Sequence, residues 1–188
     1  MLAIKGARHG VLDDWRSVSS GLSMSRAPGC VTAARKPLVS PGRRGARTPE
    51  TKDVMITKDD LESFLDRLSS DGTSYIEAGE SMWLVHPGGA LDLELVVHYN
   101  PPVVLLRVKV MNVPSKNGKS ADLNRRLLEL NASDLVHGSY GISDNAIVLT
   151  EALELAHLEY EEFLASYESM TLALATHLRE LSTYREDA

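Results

Sequence analysis

Leu91-Asp-Leu-Glu-Leu-Val-Val-His-Tyr-Asn-Pro-Pro-Val-Val-Leu-Leu-Arg-Val-Lys-Val-Met111 decides the fold class. Leu91, Leu93, Leu95 and Val97 alternate with Asp92, Glu94, Val96 and His98, the period-two signature of a half-buried strand. Asn100-Pro101-Pro102 cannot continue a ladder, because proline has no N–H to donate, so it connects to a second strand. That strand, Val103–Met111, is apolar on both faces except at Arg107 and Lys109. Upstream, Tyr75-Ile-Glu77 and Met82-Trp-Leu-Val85 are strand-like, separated by Gly79 and followed by the turn Pro87-Gly-Gly89. The central region is therefore an antiparallel meander of three or four strands.

Helical spacing flanks the meander. Thr57-Lys-Asp-Asp60 predicts a helix start, with Thr57 as cap and Asp60 three residues on. Leu61, Phe64, Leu65 and Leu68 then share a face until Gly72, predicting a helix over 58–69. After the loop holding Pro114, Lys116, Gly118 and Lys119, Ser120 is the expected cap of a middle helix, Ala121–Leu130. Leu123, Leu127 and Leu130 lie on one side of it, with Leu128 beside them. Gly138–Ile142 and Ala146–Thr150 flank Ser143-Asp-Asn145, a tight-turn composition that predicts a hairpin. A long helix over Glu159–Tyr184 closes the chain. Its row Phe163, Tyr167, Met170, Leu174, Leu178 and Leu181 must be buried on the sheet or on another subunit. No internal repeat or long heptad array is present. Helix, strands, helix, hairpin, helix is the order of an α+β fold with an antiparallel sheet and helices on one face, not of a doubly wound α/β fold.

Composition narrows the class. The chain has 188 residues, 43% hydrophobic and 24% charged, which suits one domain or at most two. No apolar run reaches the roughly 18 residues of a membrane span. The segment Met1–His9 lacks the apolar core of a secretory signal, so the cytoplasm is the expected location. The single cysteine, Cys30, can form neither an internal disulfide nor a zinc site alone. Net charge is −6, unevenly spread: residues 1–54 carry ten Lys or Arg against four Asp or Glu, and the rest carry ten against twenty-two. So acidic a domain repels phosphate backbones, and direct nucleic-acid binding is not expected of it. Residues 17–54 are Ser, Gly, Pro, Arg and Ala with no hydrophobic period, so 1–54 reads as a disordered basic leader before a domain at 55–184. The leader is a tail for an acidic surface, a targeting peptide, or a stretch with no folded role, including a mis-assigned start upstream of Met55.

The remaining residues carry no signature of a specific chemistry. There is no GxxxxGK[ST] loop, and no GxGxxG follows a strand. Histidines 9, 86, 98, 137, 157 and 177 show no HxH, HxxxH or HExxH spacing, so no metal site is expected. Glu159, Glu161, Glu162 and Glu168 read as a solvated stripe near a helix N-terminus. Ser139 near His137, and Ser143 beside Asp144, lack the strained setting of a catalytic serine. Arg107, Lys109, Lys116, Lys119, Arg125 and Arg126 cluster in sequence and read as a solvated face. Neither catalytic residues nor a cofactor are assigned.

Leu127-Leu-Glu-Leu-Asn131, then Gly138-Ser-Tyr-Gly-Ile142, then Ile147-Val-Leu149 and a long final helix resemble the YbjN family and the type III secretion chaperones of the CesT kind, over about Lys58–Leu181. The resemblance implies a domain of order α-β-β-β-α-β-β-α with a five-stranded antiparallel sheet, commonly dimeric and without known enzymatic chemistry. It implies a chaperone that holds a client protein, or a regulator of sensory transduction or stress responses in bacteria. The expected partner is another protein, with a homodimer as the assembly. Trp83, Val96, Tyr99, Leu123 and Leu127 are the candidate interface residues, Val96 and Tyr99 being expected opposite Leu93 and Leu95. The competing assignment is that they complete the core or a homodimer contact. Two other functions remain open at this point, a nucleic-acid accessory protein acting through the leader and a small-ligand domain built from residues distant in sequence.

Overall fold

Thr57 and Asp60 form the reciprocal cap their spacing predicts. Thr57 N–H donates to Asp60 Oδ2 at 2.8 Å, and Asp60 N–H donates to Thr57 Oγ1 at 3.3 Å. Helix α1 (Lys58–Ser69) follows, burying Leu61, Leu65 and Leu68. The computed structural model describes residues 55–70, 72–88, 93–115 and 118–185, all within the unit Asp53–Ala188. The leader expected at 1–54, and Leu91 and Asp92 of the alternating run, lie outside the described residues.

After α1 come β1 (Ser74–Gly79), β2 (Met82–His86), β3 (Leu95–Asn100), β4 (Val103–Asn112), α2 (Lys119–Ser133), β5 (Ser139–Ser143), β6 (Ala146–Glu154) and α3 (Tyr160–Leu181), with a 3-10 turn at Ser182–Tyr184. The strands form one sheet in the order β1-β2-β3-β4-β6-β5, every pairing antiparallel. That makes six strands among the described residues where five were expected. The sixth is the fourth strand of the meander: the strand-like segments at Tyr75–Glu77 and Met82–Val85 are separate strands, and Ser81, with a φ of 60°, folds the chain back between them.

Two helix boundaries also move. Ser120 is not the cap of α2. Gly118 occupies that position with a φ of 101°, readily adopted by glycine, and Lys119 and Ser120 are already helical. Helix α3 begins at Tyr160 and ends at Leu181, where the 3-10 turn tightens the last residues of the expected range.

Cross-strand register sorts the side chains onto two faces. The row Tyr75, Val85, Leu95, Val108, Leu149 and Tyr140 crosses all six strands, and Trp83, Val97 and Leu106 stand beside it on the same face. These residues pack with Leu61, Leu65 and Leu68 of α1, Leu123, Leu127 and Leu130 of α2, and Phe163, Tyr167, Met170 and Leu174 of α3. All three helices therefore cover one face, as expected. Each fully buried Leu or Phe contributes roughly 1.5–3 kcal/mol of transfer free energy. The parallel row Ile76, Leu84, Val96, Arg107, Thr150 and Ser139 belongs to the other face. Leu84, Val96, Ala146 and Val148 on that face are buried, yet stand outside the main core cluster.

Candidate protein-binding surface

The five residues selected from sequence do not converge on one surface. Trp83 is buried in the core, with Lys58 Nζ 5.3 Å from its ring centroid. Leu123 and Leu127 are the buried stripe of α2. Tyr99 stands on the helix-covered face with Leu95 and Val97, not opposite them, and its hydroxyl donates to Ile56 O at 3.2 Å. Val96 alone belongs to the second face, at 2% exposure.

The polar clusters resolve into structural contacts. Ser166, fully buried, and Glu151 both approach His137 at Nδ1, at 3.3 and 3.7 Å. A nucleophile–base–carboxylate relay needs the hydroxyl and the carboxylate on opposite ring nitrogens, so this arrangement cannot act as one. Ser143 Oγ donates to Asp144 Oδ2 at 3.0 Å within the hairpin turn. Buried Tyr140 and His177 meet hydroxyl to Nδ1 at 2.9 Å, with Asp134 Oδ2 3.6 Å from Nε2. Burial, and then the charge of Glu180, push the Tyr140 phenol above its ordinary range, which makes it a poor proton donor. Among the described residues, no group of three or more His, Cys, Asp or Glu is placed to hold a metal ion.

Lys116 lies outside the described residues, and the other residues of the expected basic cluster divide between two places. Arg107 and Lys109 belong to the second face of β4. On α2, Arg125 pairs with Glu129 at 3.1 Å, and Arg126 forks onto Glu180 of α3, with Nη2 donating to Oε2 at 3.0 Å. Lys119 Nζ donates to Thr183 O at 3.4 Å. The α2 cations are thus committed to partners within the chain. On α3, Glu161 lies 3.5 Å from Arg67, whose guanidinium also stacks 3.5 Å above the Tyr160 ring. A groove of about 530 Å³ between the end of α1 and α3 is lined by Leu68, Leu164, Tyr167 and Leu172 among others, and includes neither His98, His137 nor Glu161.

Apolar groups reach solvent at a different place, where α2 meets β5. Leu128 is 67% exposed, Val136 83% and Ile142 56%. Between Leu128 and Ile142 the Asn131 carboxamide grips the β5 backbone: Tyr140 N–H donates to Oδ1 at 2.7 Å, and Nδ2 donates to Tyr140 O at 3.1 Å. Gly138 brings the chain into β5 with a φ of 78°, and a Cβ there would lie 3.2 Å from Thr150 O, so the strand enters hard against β6.

The CesT_Tir_1 family model matches residues 55–187, most of the chain and all of its described elements. The chain belongs to the CesT_Tir_1 family. No curated protein matches it. Among solved structures, YbjN of E. coli is 17% identical with a TM-score of 0.50, over 68% of this chain and 95% of that one. The ExoU–SpcU complex of the Pseudomonas aeruginosa type III secretion system is 18% identical with a TM-score of 0.45, over 67% and 98%. The HopA1–SchA chaperone–effector complex is 11% identical with a TM-score of 0.45, over 63% and 92%. At such an identity the YbjN likeness establishes the fold alone, an α+β domain with an antiparallel sheet covered by helices.

Within the CesT_Tir_1 domain, the surface residues that sequence reasoning passed over are Leu128, Asn131, Val136 and Ile142. Leu128 had a signal, since it lies beside the Leu123, Leu127, Leu130 row and not in it. Asn131 had a weaker one, in the quoted pattern that runs from helix end to asparagine to hairpin.

Proposed function

We propose that this CesT_Tir_1 domain is a non-enzymatic protein-binding module, a chaperone-like or regulatory adaptor that works as a homodimer in the bacterial cytoplasm, in a stress or signalling process. The observation that carries this reading is the exposure of Leu128 on α2, Val136 on the connection and Ile142 on β5. Singly exposed apolar side chains are ordinary; three along one helix–strand segment suit a covered surface. The family assignment supports the same reading. So does the fate of the polar clusters, since the Ser–His–Glu contact at His137 lacks the geometry of a relay and the α2 cations are paired internally. Among the described residues no helix is long and apolar enough to cross a membrane.

Light scattering of the full chain tests the assembly, and affinity purification followed by reconstitution with the purified partner tests the binding. Two copies are expected for the native chain, and one for Leu128→Lys with an unchanged thermal midpoint, because a surface lysine there leaves the core intact. A native chain that stays monomeric and binds no purified protein partner overturns the proposal.

A further inference from the structure

The carboxamide of Asn131 uses both its donor and its acceptor on one residue of an edge strand. Tyr140 N–H reaches Oδ1 at 2.7 Å and Tyr140 O receives Nδ2 at 3.1 Å, the two-point exchange that a neighbouring strand makes with a hydrogen-bonded residue. Register explains why those groups are available. Ser143 and Ala146 close a two-residue turn in which Asp144 and Asn145 have φ of 48° and 60°, the geometry of a type I′ hairpin. Ser143, Gly141 and Ser139 then bond inward to β6, while the backbone of Ile142 and Tyr140 faces outward. Strand β5 is the end of the sheet, so this outward row is where a further strand would join.

Both sides of the contact are rigidly held. Asn131 rides on α2 directly after the buried Leu127 and Leu130. Tyr140 is fixed below by its hydroxyl contact with His177. Only the Ile142 pair remains outward-facing beyond the grip, next to the turn, and the Ile142 side chain is exposed.

We infer that Asn131 is an edge plug: it occupies the strand-addition site of β5 and so prevents a second copy of this chain from pairing its own β5 edge to edge with this one. Contacts at this end are then made by side chains and not by continuation of the sheet. The inference stands apart from the proposed function, because it concerns what the edge excludes and not what the protein binds.

The test uses the full chain with Asn131→Ala, Asn131→Asp, Ile142→Lys and the double variant Asn131→Ala with Ile142→Lys. Amide hydrogen exchange is followed at Tyr140, with Leu106 on a central strand as the reporter of global stability. Asn131→Ala is expected to speed exchange at Tyr140 on the order of tenfold, Leu106 staying unchanged. It is also expected to produce assemblies larger than those of the native chain in light scattering; the double variant is expected to return to the state of an Ile142→Lys single variant, which separates the charged edge from the side-chain contact of Ile142. Asn131→Asp retains the acceptor and is expected to keep the Tyr140 amide protected. Unchanged exchange at Tyr140 in Asn131→Ala overturns the inference, and so does equal acceleration at Leu106. Loss of Tyr140 protection in Asn131→Asp as large as in Asn131→Ala also counts against it. The native chain's own oligomeric state, monomer or dimer, bears only on the proposed function.

Discussion

The two edges of the sheet, β5 and β1, are finished in different ways. At β5 a side chain from α2 takes both outward groups of Tyr140, and the tyrosine beneath is buried against α3. At β1 the same alternation can be followed from the Tyr99 N–H to Ser81 O bond of 2.9 Å. Through β2 it turns the backbone of Tyr75 and Glu77 outward, and no described side chain bonds there as Asn131 does at Tyr140. Instead β1 is tied to α1 by its side chains, with Tyr75 Oη donating to Asp66 Oδ1 at 2.5 Å and Lys58 Nζ donating to Glu77 Oε1 at 3.2 Å. A register shift between Glu77 and Gly79 interrupts the ladder. One edge is closed by a directional, neutral, part-buried contact; the other is braced by charged groups in water, which salt and pH can loosen.

The largest expected effect is at the anchor of the closed edge. Tyr140→Ala removes a buried ring and leaves His177 Nδ1 without its 2.9 Å partner, so it should destabilise the domain by about 3–5 kcal/mol in urea unfolding. Tyr140→Phe keeps the ring and should lose about 1–3 kcal/mol, the cost of an unsatisfied buried group. If truncating Tyr75, which is only half-buried, proves as damaging, the contrast between the edges fails.

Elements set by local signals were legible from sequence, and tertiary choices were not. The cap at Thr57 and Asp60 is legible because both partners lie within one turn. The hairpin at Asp144–Asn145 is legible because residues tolerant of positive φ sit between two apolar runs. Which face of a strand receives the helices is a different question. Period two sets Val96 opposite Leu95 and puts Tyr99 on the side of Leu95 and Val97, so the expectation for Tyr99 misread the alternation; which of the two sides takes the helices is left open, because Leu95-Val96-Val97 is apolar on both. Leu123 and Leu127 were drawn towards an interface by their apolarity, yet an amphipathic stripe first serves its own core, which left Leu128 as the exposed neighbour. The Asn131–Tyr140 grip joins residues nine apart across a helix end and a glycine turn, a contact no periodicity encodes.

A smaller effect is expected where α1 supports the open edge. Thr57→Ala removes the side-chain half of the capping box, keeping the bond from the residue 57 N–H to Asp60, and should lower stability by about 0.5–2 kcal/mol, measured as a shift of the urea midpoint with unchanged slope. Because α1 is tied to β1 through Lys58 and Asp66, exchange should quicken in the amides of β1 more than in those of β5. Equal quickening at both edges would mean that α1 stabilises the sheet as a whole and not the β1 side.

The smallest effect separates the edges by pH. The hydrogen bond from Tyr75 to Asp66, followed by partial burial and the charges of Asp66 and Glu62, pushes the Tyr75 phenol up to about 12, against about 10 for an ordinary tyrosine. A raised folded-state value favours the neutral phenol. Its contribution is therefore fully present below about pH 10 and is lost as pH rises through about 12. Tyr75→Phe should remove that part of the alkaline loss of stability, leaving a flatter profile across the window, with a small change because the hydroxyl sits at the surface. Tyrosinate absorbance, taken as the difference between native chain and variant, isolates Tyr75 from the other tyrosines. Tyr140 is held neutral by burial first, so its ionisation requires the core to open and should coincide with unfolding. The β1 brace should accordingly loosen while the β5 edge is still intact, and a titration in which protection at Tyr140 is lost before Tyr75 ionises would reverse the order of the two edges.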